Sequence, residues 1–269
     1  MKYYAHAKVN LMLFVEGKLS NNYHNLKMLN AKISLADELD ITLSDINKVE
    51  YSLDELNHLE NDLCSNVLNE LITKYNIKER YHIYIKKNIP LGAGLGGGSC
   101  DVAAIINFIN KQHNLNLSFE EKIEIGIKYG ADVPYCLIDD LAYVEGIGEK
   151  ITKINYKLNK ELLVIYPNIH ISTKEVFENV ETYSEAFSIE YISNLLKNNF
   201  SLLLYNDLEK ATFKINKTLK ELKESLQSYG DVVMSGSGSA MLLFYNDSSV
   251  IEEIKKKYPD YLIVNTKVI

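Results

Sequence analysis

Between Pro90 and Asp101 the chain reads Pro-Leu-Gly-Ala-Gly-Leu-Gly-Gly-Gly-Ser-Cys-Asp, with five glycines in the seven positions 92–98. Glycine takes φ > 0 readily and lets a backbone come close to a ligand. The stretch runs into Val102, Ile105, Ile106 and Ile109, which are apolar at helical spacing. A helix that opens on such a loop presents unpaired N–H groups and the positive end of its dipole. The fold must therefore supply a loop-to-helix turn of the kind that holds a phosphate.

Several loops of this general kind exist. Gly92, Gly94 and Gly97 satisfy Gly-x-Gly-x-x-Gly, the dinucleotide fingerprint. That fold wants the motif in its first strand–turn–helix unit, with an acidic residue at the tip of the next strand roughly 20 residues on. Glu120 and Glu121 lie at that distance but at a helix start. No Gly-Lys-Ser/Thr closes the loop, which excludes a Walker A motif. The His-Arg-Asp and Asp-Phe-Gly companions of a protein-kinase loop are missing. A ligand-free glycine turn would sacrifice chain entropy for nothing. A phosphate loop of another type remains.

The chain has 269 residues and is 46% hydrophobic, enough to bury a sizeable core in one large or two smaller domains. Its formal charge of −7 argues against nucleic acid as the main partner, because a phosphate backbone needs a basic face. Cys64, Cys100 and Cys136 are odd in number and lack Cys-x-x-Cys spacing, which predicts reduced thiols in a cytoplasmic protein. Met1 to His6 carries no signal-peptide pattern. No apolar run approaches the ~20 residues of a membrane span.

Strands are expected at 8–16, within 26–44 and at 81–87, with a polar turn at 17–25. Leu63, Val67, Leu68, Leu71, Ile72 and Tyr75 predict an amphipathic helix over 61–75. A second helix opens near Ser99 and ends by Asn114 and Asn116. Ser118 with Glu121 reads as a capping box for a helix over 119–129, with Gly130 after it. Residues 131–134 read as a turn, 135–145 as a strand or hairpin, and 146–160 as the connection between domains. Beyond it a strand at 162–166, a helix at 189–198 and one long helix at 207–229 are expected. Strands at 231–234 and 240–245 flank Ser235-Gly236-Ser237-Gly238-Ser239, and a helix at 248–257 and a strand at 261–265 close the chain. Strands and helices in both halves, with direct strand-to-strand returns, predict an α+β class.

The order Pro-x-x-x-Gly-Leu-Gly, then glycine and serine, then Ala103-Ala104, resembles the phosphate-binding motif of the GHMP small-molecule kinases. Met234 to Ala240 resembles that family's short C-terminal glycine loop. Ala7-Lys8-Val9-Asn10-Leu11, Tyr23-His24-Asn25-Leu26, Gly130-Ala131-Asp132-Val133-Pro134 and Val144 to Glu149 also match, as do Tyr166-Pro167, Thr173 and Phe177. These segments resemble one branch of the family in particular, whose alcohol substrate carries a cytidine diphosphate group.

The resemblance implies a two-domain GHMP kinase fold. A ribosomal-S5-like N-terminal domain (1–155) and a ferredoxin-like C-terminal domain (156–269) would have the site in the cleft between them. It implies ATP and Mg²⁺, the metal held mainly by phosphates and water, with no nucleic-acid or membrane partner. Asp132 would be the general base and Lys8 its cationic companion. Pro90, Gly92, Gly94, Leu95, Gly96, Gly97, Gly98, Ser99 and Gly238 would hold ATP. Asn10, Tyr23, His24, Thr173 and Phe177 would hold the acceptor, with Tyr23 and Phe177 stacking on the cytosine. Three positions depart from the pattern. Asn22 replaces a glycine, at a turn asparagine can tolerate. Cys100 replaces a serine. Asp62 stands where an asparagine would face adenine, so no adenine contact is carried over, because a carboxylate cannot donate the same hydrogen bond.

Overall fold

The computed structural model describes residues 1–269. Its strands are β1 (Lys2–Lys18), β2 (His24–Ser44), β3 (Lys48–Tyr51), β4 (Arg80–Lys86), β5 (Ala142–Gly146), β6 (Lys150–Lys153), β7 (Glu161–Tyr166), β8 (Tyr205–Asn206), β9 (Gly230–Met234), β10 (Met241–Tyr245) and β11 (Leu262–Lys267). Its helices are α1 (Leu63–Lys74), α2 (Gly97–Gln112), α3 (Phe119–Gly126), α4 (Val133–Cys136), α5 (Thr173–Glu178), α6 (Ile189–Asn198), α7 (Leu208–Ile215), α8 (Lys217–Leu226) and α9 (Val250–Lys257). Two compact units form. The first comprises Met1–Ala7, Leu35–Pro90 and Gly96–Asp139; the second comprises Lys8–Ser34, Leu91–Leu95 and Asp140–Ile269.

In the first unit β4 pairs antiparallel with the end of β2, from Glu38↔Lys86 to Ser44↔Arg80, and parallel with β3. Alternation sends Leu39, Ile41, Ile83 and Ile85 to one face. There they pack with Val67, Leu68 and Leu71 of α1 and Val102, Ile105, Ile106 and Ile109 of α2. Each helix start has a local cause. Asp62 caps α1, accepting from the N–H groups of Cys64 and Ser65. Gly96, left-handed at φ 67°, opens α2 two residues before the expected start. Ser118 and Glu121 form the full capping box of α3. That helix ends at Gly126, three residues early, because the chain tightens into a turn with Tyr129 N–H on the Gly126 carbonyl. Pro134, whose ring suits the first turn of a helix, sits in the single-turn α4, where a plain turn was expected.

In the second unit β7, β9, β10 and β11 form an antiparallel sheet in the order β11-β7-β10-β9. Taken along the chain this is fourth, first, third, second, the split βαβ arrangement of ferredoxin-like folds. Leu163, Val164 and Ile165 of β7 and Leu242 and Leu243 of β10 are fully buried in it. The start of β2 pairs with β5, and β5 with β6, so part of the expected connection at 146–160 is a hairpin strand. The expected long helix at 207–229 is two helices, α7 and α8, separated at Asn216 in extended geometry (φ −138°, ψ 104°). No helix is long and apolar enough to cross a membrane.

Candidate active site

In the second unit the glycine loop is fastened from the side of Leu91–Leu95. Tyr166 Oη donates to the Leu91 carbonyl (3.0 Å) and Lys8 N–H to the Leu95 carbonyl (3.0 Å). Gly94 has φ 78°, and a Cβ there would run into the Ser235 carbonyl oxygen. Ser235 Oγ donates to the Gly94 carbonyl (3.0 Å) and Ala240 N–H to the Ala93 carbonyl (3.1 Å). Only glycine permits two loops to lie this close. The loop at 235–239 is itself held. Asn206 Nδ2 donates to the carbonyls of Met234 (2.7 Å) and Gly236 (2.8 Å), and Thr212 Oγ1 to that of Ser237 (3.2 Å). Gly238 N–H donates to the Ser235 carbonyl (3.0 Å). These bonds exclude a slack hairpin turn.

Lys8 and Asn10 face this junction from β1, and both are buried. Lys8 Nζ donates to Asn10 Oδ1 (3.0 Å), while Asn10 Nδ2 donates to Asn30 Oδ1 (2.7 Å) and its N–H to Ser235 Oγ (3.4 Å). The carbonyl of Asn30 thereby fixes which end of the Asn10 amide meets the ammonium.

In the first unit the other side of the loop becomes α2. Its first intrahelical bond runs from Cys100 N–H to the Gly96 carbonyl (2.8 Å). The N–H groups of Gly97, Gly98 and Ser99 precede it and point out of the helix start. A Cβ on Gly98 would meet no atom within 4 Å, so the space in front of this turn is open. Donor N–H groups beside open space fit the phosphates of ATP. The turn at Gly130–Pro134 lies against the same helix start, since a Cβ on Gly130 would sit 3.5 Å from Ser99 Oγ. Asp132, which opens α4, lies two residues further along that turn. No group of three His, Cys, Asp or Glu could hold a metal. A Mg²⁺ held mainly by phosphates and water would need no such group.

Back in the second unit, His24 stacks on Phe177 with ring centroids 5.0 Å apart and planes at 21°, and Tyr183 lies 6.4 Å from His24 at 49°. Burial and the charge of Lys18 hold the His24 pKa below its usual value, which favours the neutral ring. Tyr23 is 57% exposed beside it, after Asn22 at φ 68°, which is the left-handed turn that asparagine was expected to tolerate. Thr173 opens α5, with its Oγ1 2.8 Å from Ser237 Oγ. Of the five acceptor candidates, Asn10 lies with the Ser235 loop and His24 with Phe177 as a stacked pair, while Tyr23 stands exposed next to His24 in the chain. Thr173 reaches the Ser235 loop from the α5 side.

Residue-by-residue reading misses a buried charge cluster under the loop. Lys87 Nζ donates to Asp37 and to Asp101 (2.5 Å), with all three side chains at most 2% exposed. Asp37 Oδ1 also accepts the N–H groups of Asn88 (2.6 Å) and Ile89 (2.8 Å). The cluster thereby ties the end of β4 to the first turns of α2. Little in the sequence marks it, since Lys87 stands between Lys86 and Asn88 and Asp37 precedes Glu38. Asp62 is also fully engaged, accepting from Tyr51 Oη (2.5 Å) and Ser65 Oγ (2.5 Å) besides its cap bonds. Its carboxylate serves the start of α1.

The family models for the GHMP kinases N terminal domain and GHMP kinases C terminal match residues 62–140 and 184–264. The chain belongs to the GHMP kinases. Among curated relatives, 4-diphosphocytidyl-2-C-methyl-D-erythritol kinase of Clostridium botulinum is 36% identical over 97% of this chain and 98% of its own length. The enzyme of that name from Thermoanaerobacter pseudethanolicus is 36% identical over 97% and 91%. A crystal structure of 4-(cytidine 5'-diphospho)-2C-methyl-D-erythritol kinase aligns over the whole of both chains with a TM-score of 0.85 and 25% identity. Mevalonate kinase of Methanococcus jannaschii shares the fold, with a TM-score of 0.72 and 17% identity.

Proposed function

We propose that this chain transfers the γ-phosphoryl group of ATP to the 2-hydroxyl of 4-diphosphocytidyl-2-C-methyl-D-erythritol, releasing ADP and the 2-phosphate. This is a step of non-mevalonate isoprenoid precursor synthesis in the cytoplasm. The observation that carries the reading is 36% identity over nearly the full chain to kinases of that name. The stacked His24–Phe177 pair supports a flat, base-bearing acceptor. We place the boundary between the N- and C-terminal domains near residue 155, between the two matched segments.

Phosphoryl transfer to an alcohol needs positioning of both partners, activation of the hydroxyl and neutralisation of the transferring group. In this reading Asp132 takes the proton of the 2-hydroxyl. Lys8, oriented by Asn10, favours the developing alkoxide and offsets charge on the phosphoryl oxygens. Backbone N–H groups along Gly92 to Ser99 hold the ATP phosphates, with Pro90 and Leu95 shaping the loop and Gly238 closing on it. Mg²⁺ accompanies ATP as a counter-ion that neutralises phosphate charge. Tyr23 and Phe177 sandwich the cytosine and neutral His24 hydrogen-bonds its edge, while Asn10 and Thr173 position the erythritol and diphosphate.

Asp132→Asn and Lys8→Ala are expected to lower kcat by about 10²–10⁴-fold, the range of general acid–base assistance, with unchanged circular dichroism. Phosphorus NMR should place the new phosphate on the 2-oxygen in the wild type. Near-normal turnover in either folded variant would remove that residue from the mechanism.

A further inference from the structure

Cys100 sits in the first turns of α2, next to Ser99, and Cys136 is the last residue of α4, the turn that Asp132 opens. Their sulfurs are 3.1 Å apart, about 1 Å longer than a disulfide bond of about 2.05 Å. Both side chains already point at each other, so covalent closure needs only a small approach of the two helix ends. Both cysteines are in the reduced form. We infer that Cys100 and Cys136 form an oxidative modification site, closed to a disulfide by a hydroperoxide and reopened by a dithiol.

The chemistry balances with one peroxide. The O–O bond of hydrogen peroxide breaks at Sγ of Cys136, the more exposed of the two at 6% against 1%. One oxygen stays as a sulfenic acid and the other leaves as water. Sγ of Cys100 then attacks Sγ of Cys136. The S–O bond breaks, and the departing hydroxide takes the Cys100 proton as a second water. The thiol pair loses two electrons and the peroxide gains them. The first step is slow because the site is buried. The second is fast because the partner is already in contact. Cytosolic disulfides of mesophiles are commonly transient and redox-sensing, and this pair is placed for that role.

Cys64 provides an internal control. It is buried, with no sulfur contact of this kind, and burial and the Asp101 charge push its thiol pKa well up. It should stay unreacted.

A closed disulfide draws the end of α4 toward α2. Ser99 and the turn carrying Asp132 sit on those two segments, and a displacement of ~1 Å at a reacting group costs up to about 10²-fold in rate. Purified full-length protein would be treated with hydrogen peroxide, alkylated under denaturing conditions and analysed by intact mass and peptide mapping. The expected product lacks two hydrogens, joins the Cys100 and Cys136 peptides, leaves Cys64 alkylated, and turns over at least tenfold more slowly until dithiothreitol restores it. Cys136→Ala and Cys100→Ser should each keep their turnover after peroxide. Two alkylatable thiols at 100 and 136 after peroxide, pairing through Cys64, or equal inactivation of Cys136→Ala would overturn the site. The mapped disulfide with undiminished turnover would overturn its link to the reaction. The mass readout needs no variant and no substrate, so it stands or falls separately from the kinase assignment.

Discussion

At the scale of single residues the buried cluster of Lys87, Asp37 and Asp101 makes the most exacting claim. Burial pulls the Lys87 pKa down, but its two carboxylate partners more than reverse this, and its net shift is upward. Asp101 is pushed up by burial, relieved in part by Lys87 and worsened by the Asp37 charge, and its Oδ1 has no hydrogen-bond partner. Burial therefore makes the Asp101 charge costly, and an asparagine removes that cost while still offering Lys87 an acceptor oxygen. Lys87→Met strands two buried carboxylates and should cost about 3–5 kcal/mol of unfolding free energy, whereas Asp101→Asn should cost far less. The sign with pH follows from linkage. A folded-state pKa above the unfolded one contributes stability at acid pH and loses it as the pH rises through the folded value. Urea titrations across that range should show Asp101→Asn gaining on the wild type as pH rises. Equal losses for the two variants, with no pH trend, would mean that folding does not raise the Asp101 pKa.

At the scale of elements, periodic patterns were legible and their interruptions were not. Helices α1, α2 and α6 and the edges of the terminal sheet follow from apolar spacing, and α3 from its capping box. Leu208, Ala211, Ile215, Leu219, Leu222 and Leu226 keep helical spacing straight through the break at Asn216, so periodicity alone reads one helix there. The break is chemical. Asn216 Oδ1 accepts the Thr218 N–H (3.0 Å), capping α8 in a conformation a continuous helix forbids. Asn216→Ala should cost about 1 kcal/mol as a lost cap, measured by thermal unfolding. A gain in stability would mean that the two helices fuse without penalty. The four-residue β3 and six-residue α5 escaped notice because neither is long enough to show a period. β6 was hidden in a lysine-rich stretch whose polar residues belong to an edge strand. It pairs only with β5.

At the scale of the whole molecule, the class and both glycine loops could be read from the chain, because glycine and capping residues are local signals. The two units could not, since each is assembled from segments far apart in sequence. The same holds for the Lys87 cluster, whose partners lie 14 and 50 residues away, and for the support that Asn30 gives Asn10. The glycine-rich segment is held in place because the Ser235 loop, β1 and Tyr166 all hydrogen-bond to it. The central claim concerns the acceptor, because the fold is shared by mevalonate and homoserine kinases. The most direct test is ATP consumption by the purified chain with 4-diphosphocytidyl-2-C-methyl-D-erythritol, mevalonate and homoserine in parallel. Turnover with the cytidyl substrate alone is the predicted result. No turnover with it, and clear turnover with mevalonate or homoserine, would contradict the assignment.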